Sequence, residues 1–474
     1  MTLRKGNPMQ RSRFTAPVLI LLILSQGAAG AEDITVPAKL PLADAITLAL
    51  RANANLKQAA EGHRTALSRS RIASFDTSLS VGSDVSLDDA PGNSGISSRA
   101  YSTLNYESVS GTGASLELSP FGWGSYRGSV GLSLQQPLMK GRGPLSEKSY
   151  RVQEALTDVA IQDKQLYRSR QSTVRGVIAA YYRAVQAREQ VKIQERALSL
   201  VEAAAEYARR REEAGLARGI DVSRAQVQVA QTRDRLNVQR ESARARVDAL
   251  MLAIGAGVGQ NPELTDAVPD ASPSMPSLEQ AIETALANRS ELAVYDERLS
   301  SQNRRLAIAE DELRPEVNAL ASFRSTDAGA GFVSGSMFDL GSTTVGVALT
   351  FPLDRRISEE ERDIAARSVD LLQEQRAFQT EEIAEEARGA HRSLEAAGTS
   401  LDIFSQNLDV AKQNLHIAER MVEEGEGDNR DVLTAQEALT GVESGIISAK
   451  TDLYLAGVDL RYAMGEDLTT MGSK

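Results

Sequence analysis

The chain contains GLARGIDVSRAQ at residues 215–226 and GEGDNRDVLTAQ at residues 425–436, two copies of one pattern that lie 210 positions apart. The register continues without a gap to LMLAIG, which ends at Gly255, and to LRYAMG, which ends at Gly465. Eight of the 41 aligned positions are identical. A repeat of this size indicates two copies of one large supersecondary unit. The sequence therefore predicts an elongated, pseudo-symmetric protein rather than a compact enzyme.

The first 31 residues have the three parts of a secretory signal. Four basic residues precede an apolar run from Phe14 to Leu24, and Ala29-Gly30-Ala31 has the A-x-A form of a cleavage site. The alternative is a membrane anchor, but a run of 11 apolar residues is too short to cross the hydrocarbon of a bilayer. We therefore expect cleavage after Ala31 and export from the cytoplasm.

The composition argues against several classes of function. The chain has no cysteine, so an exported protein of this size depends on packing or oligomerisation instead of disulfides. Its formal net charge of −11 argues against a nucleic-acid partner. No HExxH, G-x-S-x-G or P-loop motif is present, and the three histidines have no ligand spacing. We expect no enzymatic activity, no metal and no cofactor.

Proline placement predicts the helices. No proline lies between Leu145 and Asn261 or after Leu353, and both stretches are rich in good helix formers. In each stretch a long helix is expected to turn at the repeated glycine into a second helix. The four expected helices span about 145–214, 220–255, about 356–424 and 431–464.

An apolar seam with alternating spacings of three and four runs along the second long helix, as in a coiled coil. It consists of Leu401, Phe404, Leu408, Ala411, Leu415, Ala418 and Val422. Subtracting 210 gives the same seam, more weakly filled, in the first long helix. The small residues in this seam favour close packing of helices in a sheet or tube.

Each repeat is also predicted to begin with a shorter amphipathic helix, at about 42–72 and about 278–313. The basis is that SLEQAIETALANRSEL in the second repeat echoes PLADAITLALRANANL in the first. A linker with four prolines at 261–277 separates the first structural repeat, 32–260, from the second, 278–474.

Strand-like segments lie between the short and the long helices, at about 75–138 and about 316–352. Apolar residues alternate there with small or polar ones, as in the run from Val345 to Phe351. A membrane barrel needs such alternation, with one face to lipid and one to water, although any half-buried antiparallel sheet shows it too. About one hairpin per repeat gives four strands per chain. Four strands cannot close a barrel, so we predict a homo-oligomer.

One segment of the first repeat leaves room for more strands. Residues 98–119, SRAYSTLNYESVSGTGASLELS, are typical of a further hairpin around Gly111-Thr112-Gly113. This hairpin would either extend the strands beyond the membrane or plug the lumen.

The chain resembles the outer membrane efflux protein family, the TolC-like exit ducts of Gram-negative bacteria. The resemblance rests on the repeated helix–hairpin–long helix–helix order, on the G-x5-D-V-x2-A-Q turns at Gly215 and Gly425, and on QQPLMKGRG at residues 135–143. It implies a mainly α fold with a membrane β-barrel. The expected assembly is a homotrimer whose twelve-stranded barrel lies in the outer membrane and continues into an α-helical tunnel through the periplasm.

The resemblance also implies partners. In the family, the helix–turn–helix tips contact a periplasmic adaptor protein, which connects the duct to an inner-membrane pump. The corresponding tip residues here are Ala214, Gly215, Leu216 and Gly425. We expect the exit duct of a tripartite efflux or type I secretion system, which conducts its substrate passively. The alternative is a soluble periplasmic coiled-coil scaffold.

The resemblance places the channel constriction at Asp431, with Asp428 as a second acidic position. Three copies of one carboxylate in a trimer would form a ring that selects cations. Other gate positions of the family differ in this chain, so its latch is expected to differ. An alternative role for Asp431, and for Asp221 in the first repeat, is to stabilise the start of the following helix.

Overall fold

The computed structural model describes residues 36–90, 93–123, 129–215, 218–269, 275–326, 341–424, 426 and 429–469. The predicted signal segment lies outside the described residues. Across these ranges, no helix is both long enough and apolar enough to cross a membrane.

The described chain contains eight α-helices, four in each repeat. They are α1 (Leu42–Ala52), α2 (Ala54–Ser74), α3 (Glu147–Glu213), α4 (Gly219–Ile254), α5 (Leu278–Asn288), α6 (Ser290–Glu312), α7 (Arg356–Glu423) and α8 (Asn429–Ala463). The long helices are α3 and α7, and each is followed by a tight turn from which α4 or α8 runs back.

The long helix α3 is continuous over 67 residues, which corresponds to about 100 Å. Ser146 caps its start, because its hydroxyl accepts a hydrogen bond from the backbone N–H of Ser149 at 3.1 Å. Gly215 follows its end with a φ of 73°, a conformation that glycine adopts at little cost. Ala208, a member of the predicted seam, is buried against Val222 and Ala225 of the returning helix.

The helices contact one another in a fixed lateral order. Near the strands the order is α2, α3, α6, α7, and near the turns it is α4, α3, α8, α7. The helix α3 therefore contacts both repeats. Two lateral edges result, which we name the first edge (α2 and α4) and the second edge (α7).

The short helix expected at about 42–72 is divided into α1 and α2, and the one at about 278–313 into α5 and α6. Asn53 makes the first break, with a ψ of 126°, and its side-chain oxygen accepts hydrogen bonds from N–H groups in the first turn of α2. It therefore caps the second helix of the pair. Arg289 makes the equivalent break in the second repeat, with a ψ of 120°. Apolar periodicity alone does not reveal such breaks, which is why one helix was expected.

The largest apolar core lies where α1, α3, α4 and α8 meet. Its centre is the fully buried Tyr181, whose hydroxyl donates to the carbonyl of Leu40 at 2.9 Å and accepts from the N–H of Asp266 at 3.2 Å. The ring of Tyr181 packs edge-on against that of Tyr182 at 5.4 Å. Burial raises the pKa of the Tyr181 hydroxyl, so it remains a neutral donor. The core thus fixes the N-terminal strand and the linker to α3.

The described strands form two sheets. They are β1 (Lys39–Leu40), β2 (Thr77–Ala90), β3 (Asn93–Glu107), β4 (Gly113–Trp123), β5 (Ser129–Pro137), β6 (Glu263–Leu264), β7 (Glu316–Thr326) and β8 (Gly341–Thr350). The short strands β1 and β6 pair in parallel beside the core. The other six form one antiparallel sheet in the order β2-β3-β4-β5-β7-β8.

This sheet has two strands more than the four expected per chain. The additional pair comes from the hairpin predicted around Gly111, which connects β3 to β4. Ser108 donates its N–H to Thr112 at 2.9 Å across the turn, and Gly111 has a φ of 85°. The first repeat therefore supplies a four-stranded meander where a single hairpin at about 75–138 was expected, and the second supplies the hairpin β7–β8.

The six-stranded sheet has two chemically distinct faces. Strand pairing places one continuous apolar row across five neighbouring strands: Leu79, Leu104, Leu116, Leu132 and Phe323. The opposite face carries a row of small polar residues across all six: Ser78, Asn105, Ser115, Ser133, Ser322 and Thr344. Large side chains of the apolar face are exposed in the single chain, Val81 and Val345 to 79% each. This face is therefore available to a hydrophobic environment.

Candidate functional site

The candidate site is the pair of turns at the end of the long helices, which we name the first tip (α3 to α4) and the second tip (α7 to α8). In the first tip, Gly215 donates its N–H to the carbonyl of Glu212 at 2.8 Å, and Ala214 donates to Arg210 at 3.1 Å. These bonds use carbonyls that the end of a helix leaves without an intrahelical partner. The first tip is thus closed by its own backbone.

The second tip closes in a related way. Glu424 donates its N–H to the carbonyl of Arg420 at 2.9 Å, and Glu426 donates to Met421 at 2.9 Å. The guanidinium of Arg420 also pairs with the carboxylate of Glu424 at 3.1 Å. Because these contacts are local, the turn does not depend on the first tip for its shape.

Some of the predicted site residues lie within the described ranges, and the others lie outside them. Asp431 lies in the first turn of α8 and is exposed. Ala214 and Gly215 form the first tip as expected, whereas the remaining predicted positions lie outside the described residues: Leu216, Gly425 and Asp428. The structure thus gives positions for three of the six predicted site residues.

The capping alternative is confirmed for Asp221 in the first tip. The backbone N–H of Arg218 donates to Oδ2 of Asp221 at 3.3 Å, and the N–H of Asp221 donates to the carbonyl of Arg218 at 2.9 Å. A carboxylate in this position satisfies a free backbone donor and interacts favourably with the helix dipole. Asp431 occupies the equivalent place in the second repeat, also in the first helical turn.

Small residues let the helices approach closely just behind the tips. Ala208, Val222 and Ala225 form a buried cluster between α3 and α4. Ala418 and Val432, which align with the first two at an offset of 210, are buried as well. The repeated Val and Ala positions of the sequence pattern are therefore packing residues, and they hold each tip as a unit.

A contact between the two tips involves Glu437 of α8. Its Oε1 accepts hydrogen bonds from Nη1 of Arg235 at 3.1 Å and from Nε2 of Gln228, both on α4. Sequence reasoning missed this contact. The only signal available was that Glu437 aligns with Val227, so that a charge replaces an apolar residue in one repeat. These hydrogen bonds join the first tip region to the second.

Ion pairs also connect α3 with α8 further from the tips. Nε of Arg175 lies 2.6 Å from Asp459, and Nη2 of Arg183 lies 2.7 Å from Asp452. A third pair, Nη2 of Arg196 with Glu443, is longer at 3.8 Å and lies nearest to the tips. All three pairs are partly exposed, so each contributes at most about 1 kcal/mol. Their spacing along the helix fixes the register of the two repeats.

The two tips differ in charge. The first tip region carries consecutive arginines at 209–211, where Arg209 and Arg210 both donate to Glu206. These hydrogen bonds hold the pKa of Glu206 below its ordinary value. The second tip region instead carries a Glu-rich run at 423–426. Across the described chain, no cluster of three or more metal-ligating side chains is present.

The fold matches that of solved outer-membrane channels. The structure of CusC superposes with a TM-score of 0.72 at 15% identity, covering 90% of this chain and 92% of that one. VceC from Vibrio cholerae gives a TM-score of 0.68 at 19% identity, covering 90% of this chain and 96% of that one. Identities this low show the fold alone, and the fold is that of a TolC-like channel, mainly α with a β-sheet at one end.

Sequence comparison gives the family. Outer membrane efflux protein BepC of Brucella suis biovar 1 (strain 1330) is 26% identical over 353 residues, which cover 71% of this chain and 72% of BepC. The family model for outer membrane efflux proteins matches residues 45–256 and 281–466, one block for each repeat. The chain therefore belongs to the outer membrane efflux protein family. It is a protein of the outer membrane, and its relatives are channels rather than enzymes.

Proposed function

We propose that this protein is the homotrimeric exit duct of a tripartite efflux or secretion system. In this role it receives substrate from a periplasmic adaptor and an inner-membrane pump, and conducts it passively to the exterior. The observation that carries the proposal is the pair of different, exposed apolar edges of the chain. An elongated chain with two unlike apolar edges can close into a ring with copies of itself, head to tail.

The exposed apolar surface is clearest on the second edge, α7. Four exposed apolar residues recur at intervals of seven along the strand-proximal half of α7: Ile357, Ile364, Leu371 and Phe378. Three more recur at the same interval toward the tip: Ile403, Val410 and Ile417. A stripe with a period of seven is the seam of a helix that packs lengthwise against another helix. Within the described chain this stripe stays exposed, by 54% to 73% per residue.

The first edge supplies a surface of the same character. Ile72 and Phe75 are exposed by 67% and 68% at the end of α2 and just after it. On α4, Ile220, Val227 and Val238 are exposed by 54% to 62%. Packing α7 of one copy against α2 and α4 of the next buries both surfaces and repeats around an axis. A trimer is the assembly that the family resemblance implies, and it turns the two tips of each chain into one mouth of six tips.

The mouth is the place for contact with the adaptor and for the gate. The tip residues proposed for adaptor contact are Ala214, Gly215, Leu216 and Gly425. Asp428 and Asp431 are proposed as acidic rings at the constriction, because a threefold axis multiplies each carboxylate by three. Opening requires the second tip to move away from the first, a hinge-type motion at the ends of helices. No energy source is needed in the duct itself, since the pump drives transport.

The proposal is tested by assembly and conduction in the same preparation. The wild-type protein, solubilised from outer membranes, is expected to have the mass of a trimer and to form channels in planar bilayers. Replacing Ile364 and Leu371 together with lysine should abolish the trimer and its conductance, since two charges enter an apolar interface. Gln373→Lys, an exposed position on another face of the same helix, should leave both unchanged. A monomer recovered in the soluble periplasm would instead support the scaffold alternative.

A second experiment tests the acidic constriction. Asp428→Asn combined with Asp431→Asn should reduce the preference for cations in single-channel recordings, because the rings lose their charge. Glu419→Gln, at an exposed position near the same turn on α7, provides a control for a carboxylate charge removed nearby. Unchanged selectivity in the double variant would exclude both aspartates from the constriction.

A further inference from the structure

We infer that the free edge of β2 pairs with β8 of a second copy, so that all six strands of each chain belong to one closed sheet. This inference rests on the proposed function, in which three copies assemble. Six strands from each copy then give a closed sheet of eighteen strands. The twelve strands implied by the resemblance would need only four from each chain. Such a wall would consist of β4, β5, β7 and β8, the four neighbouring strands at one end of the sheet order, with β2 and β3 outside it. Three features of the structure place β2 and β3 in the wall.

The first feature is the position of the edges. β2 and β8 stand at the two ends of the six-stranded sheet, and each pairs on one side only within the described residues. β2 pairs with β3 along its whole length, from Thr77 with Tyr106 to Ala90 with Asn93. A long unpaired edge exposes backbone donors and acceptors that must be satisfied, above all where no water is present. Pairing with a second copy satisfies both edges at once.

The second feature is strand direction. All five pairings in the sheet are antiparallel, so with six strands the first and the last run in opposite directions. A second copy placed beside β8 therefore presents its β2 antiparallel to it, and the alternation continues through the boundary. An even number of strands per chain is what an uninterrupted antiparallel ring requires. Six strands meet this condition as well as four do.

The third feature is the continuity of the two faces. On β2, Leu79, Val81 and Val85 are exposed by 69% to 79% and lie on the same face as Leu104 of β3 and Leu132 of β5. The opposite face of β2 carries serine and aspartate, in line with the polar row of the other strands. A hairpin that plugs a lumen would have no reason to keep an exposed apolar face in register with the wall. The pattern therefore assigns β2 and β3 to the wall and argues against a plug formed by the predicted hairpin at 98–119, which begins in β3.

The ends of β2, β3 and β4 that lie nearest the helices also contact the start of α3. Ser146, the cap of α3, donates its hydroxyl to the carbonyl of Val109 in the β3–β4 turn at 2.8 Å, and Gly143 donates its N–H to Ser110 at 3.0 Å. The buried Lys148 donates to the carbonyl of Phe75, just before β2. These contacts place the base of the four-stranded meander on the start of α3, where the wall continues into the helices.

The consequence concerns the width of the duct. The diameter of a closed sheet grows roughly linearly with strand number, so eighteen strands give about 1.5 times the diameter of twelve. Sheets of 16–18 strands leave a water-filled passage, and the polar face of serine, threonine and asparagine would line it. The strands then exert little size selection, and the helical mouth limits which solutes pass.

Site-directed cross-linking tests this inference, and the absence of native cysteine allows single pairs to be introduced. Thr344→Cys on β8 is combined in turn with cysteine at polar-face positions of β2: Ser78, Ser80, Asp84, Ser86 and Asp88. The scan is needed because strands in a closed sheet are staggered. A matched scan combines Thr344→Cys with Ser115→Cys, Glu117→Cys or Ser119→Cys on β4. A short bifunctional thiol reagent reaches direct and diagonal cross-strand neighbours.

We expect covalently linked copies on denaturing gels for at least one β2–β8 pair and for none of the β4–β8 pairs. Cross-linking of β4 to β8 would overturn the inference, because β4 would then be the edge of a twelve-stranded wall. No β2–β8 link in protein that native mass measurement shows to be trimeric would overturn it as well. Failure to form a trimer before the reagent is added would refute the proposed function instead, so the two failures are distinguishable.

Discussion

Gly255 lies directly against the backbone of Ala52. A Cβ atom on this glycine would be 2.9 Å from both the carbonyl carbon and the oxygen of Ala52, and its φ of 87° is one that other residues rarely adopt. Gly465 stands in the same relation to Asn288, where a Cβ would lie 3.0 Å from the carbonyl carbon. The last residue of each sequence repeat therefore packs against the break between the first two helices of that repeat.

Substitution of either glycine by alanine should destabilise the protein. The left-handed conformation alone costs an L-residue about 1–2 kcal/mol, and the close approach to backbone adds to this. We expect Gly255→Ala and Gly465→Ala each to lower the free energy of unfolding by about 2–4 kcal/mol, measured by chemical denaturation in detergent. Gly441→Ala in α8 is the control. Nothing lies near its Cβ position, and alanine should stabilise that helix by up to about 1 kcal/mol.

The residues at the two breaks align, yet they should tolerate substitution differently. Asn53 acts through its cap, so Asn53→Ala should cost about 1 kcal/mol. The guanidinium of Arg289 is 7% exposed and lies 2.8 Å from Glu291 and 2.6 Å from Glu386. Removing this positive charge leaves the buried carboxylate of Glu291 with the longer, more exposed pair to Arg168 at 3.3 Å, which compensates its charge less well. We therefore expect Arg289→Met to cost about 2–3 kcal/mol in the same denaturation assay.

A second variant separates charge from packing at Arg289. Adding Glu291→Gln to Arg289→Met removes the poorly compensated charge of Glu291, so part of the lost stability should return. If the double variant were no more stable than Arg289→Met alone, the loss would come from packing against Tyr462, whose ring centroid lies 5.8 Å from the guanidinium carbon.

The sequence predicted the features that depend on local pattern. The long helices appear where proline is absent, and Gly215 turns the chain where the repeat places it. The glycines around Gly111 predict the hairpin there, but they do not predict that it adds two strands to the sheet. Whether a hairpin joins a sheet is decided by strands distant in the sequence. The sequence did not predict the break at Arg289 or the contact of Glu437 with Arg235 for the same reason. Each depends on a partner far along the chain.

The C-terminal segment should loosen in acid. Burial acts to raise the pKa of Asp467, but hydrogen bonds from Gln171 at 2.8 Å and from Thr469 outweigh it, so the pKa is lowered overall from its ordinary value of 3.8. A depressed folded-state pKa contributes stability above the unfolded value, and this stability is lost as pH falls through the folded value. Between pH 5 and roughly pH 3, the protection factor for amide exchange, which divides out the intrinsic pH dependence of the exchange chemistry, should therefore fall around the buried Leu468.

This acid response should depend on one carboxylate. Asp467→Asn should lower the protection factor of Leu468 at pH 5 and remove most of its change with pH. Asp402→Asn, an exposed substitution on α7, should leave the response intact. An unchanged acid response in Asp467→Asn would assign it to another carboxylate, such as the neighbouring Glu466, which pairs with Arg461 at 3.9 Å.

Glu437 should act as a latch between the two tips in the assembled duct. It accepts from Arg235 and Gln228 across the boundary between the repeats, and opening by separation of the tips would break both bonds. An exposed pair of this kind is worth up to about 1 kcal/mol, so Glu437→Ala should raise the open population by up to about fivefold per subunit. Single-channel recording measures this as a higher open probability or a larger conductance.

The matched control for the latch is Glu443→Ala on the same helix. Its carboxylate pairs with Arg196 at 3.8 Å, further from the turn, so its loss should affect conductance less. The exchange Glu437→Arg with Arg235→Glu restores opposite charges and should return the channel toward its closed state. Equal effects of the two alanine substitutions would show that general weakening of the helix contacts, rather than this contact near the mouth, controls opening.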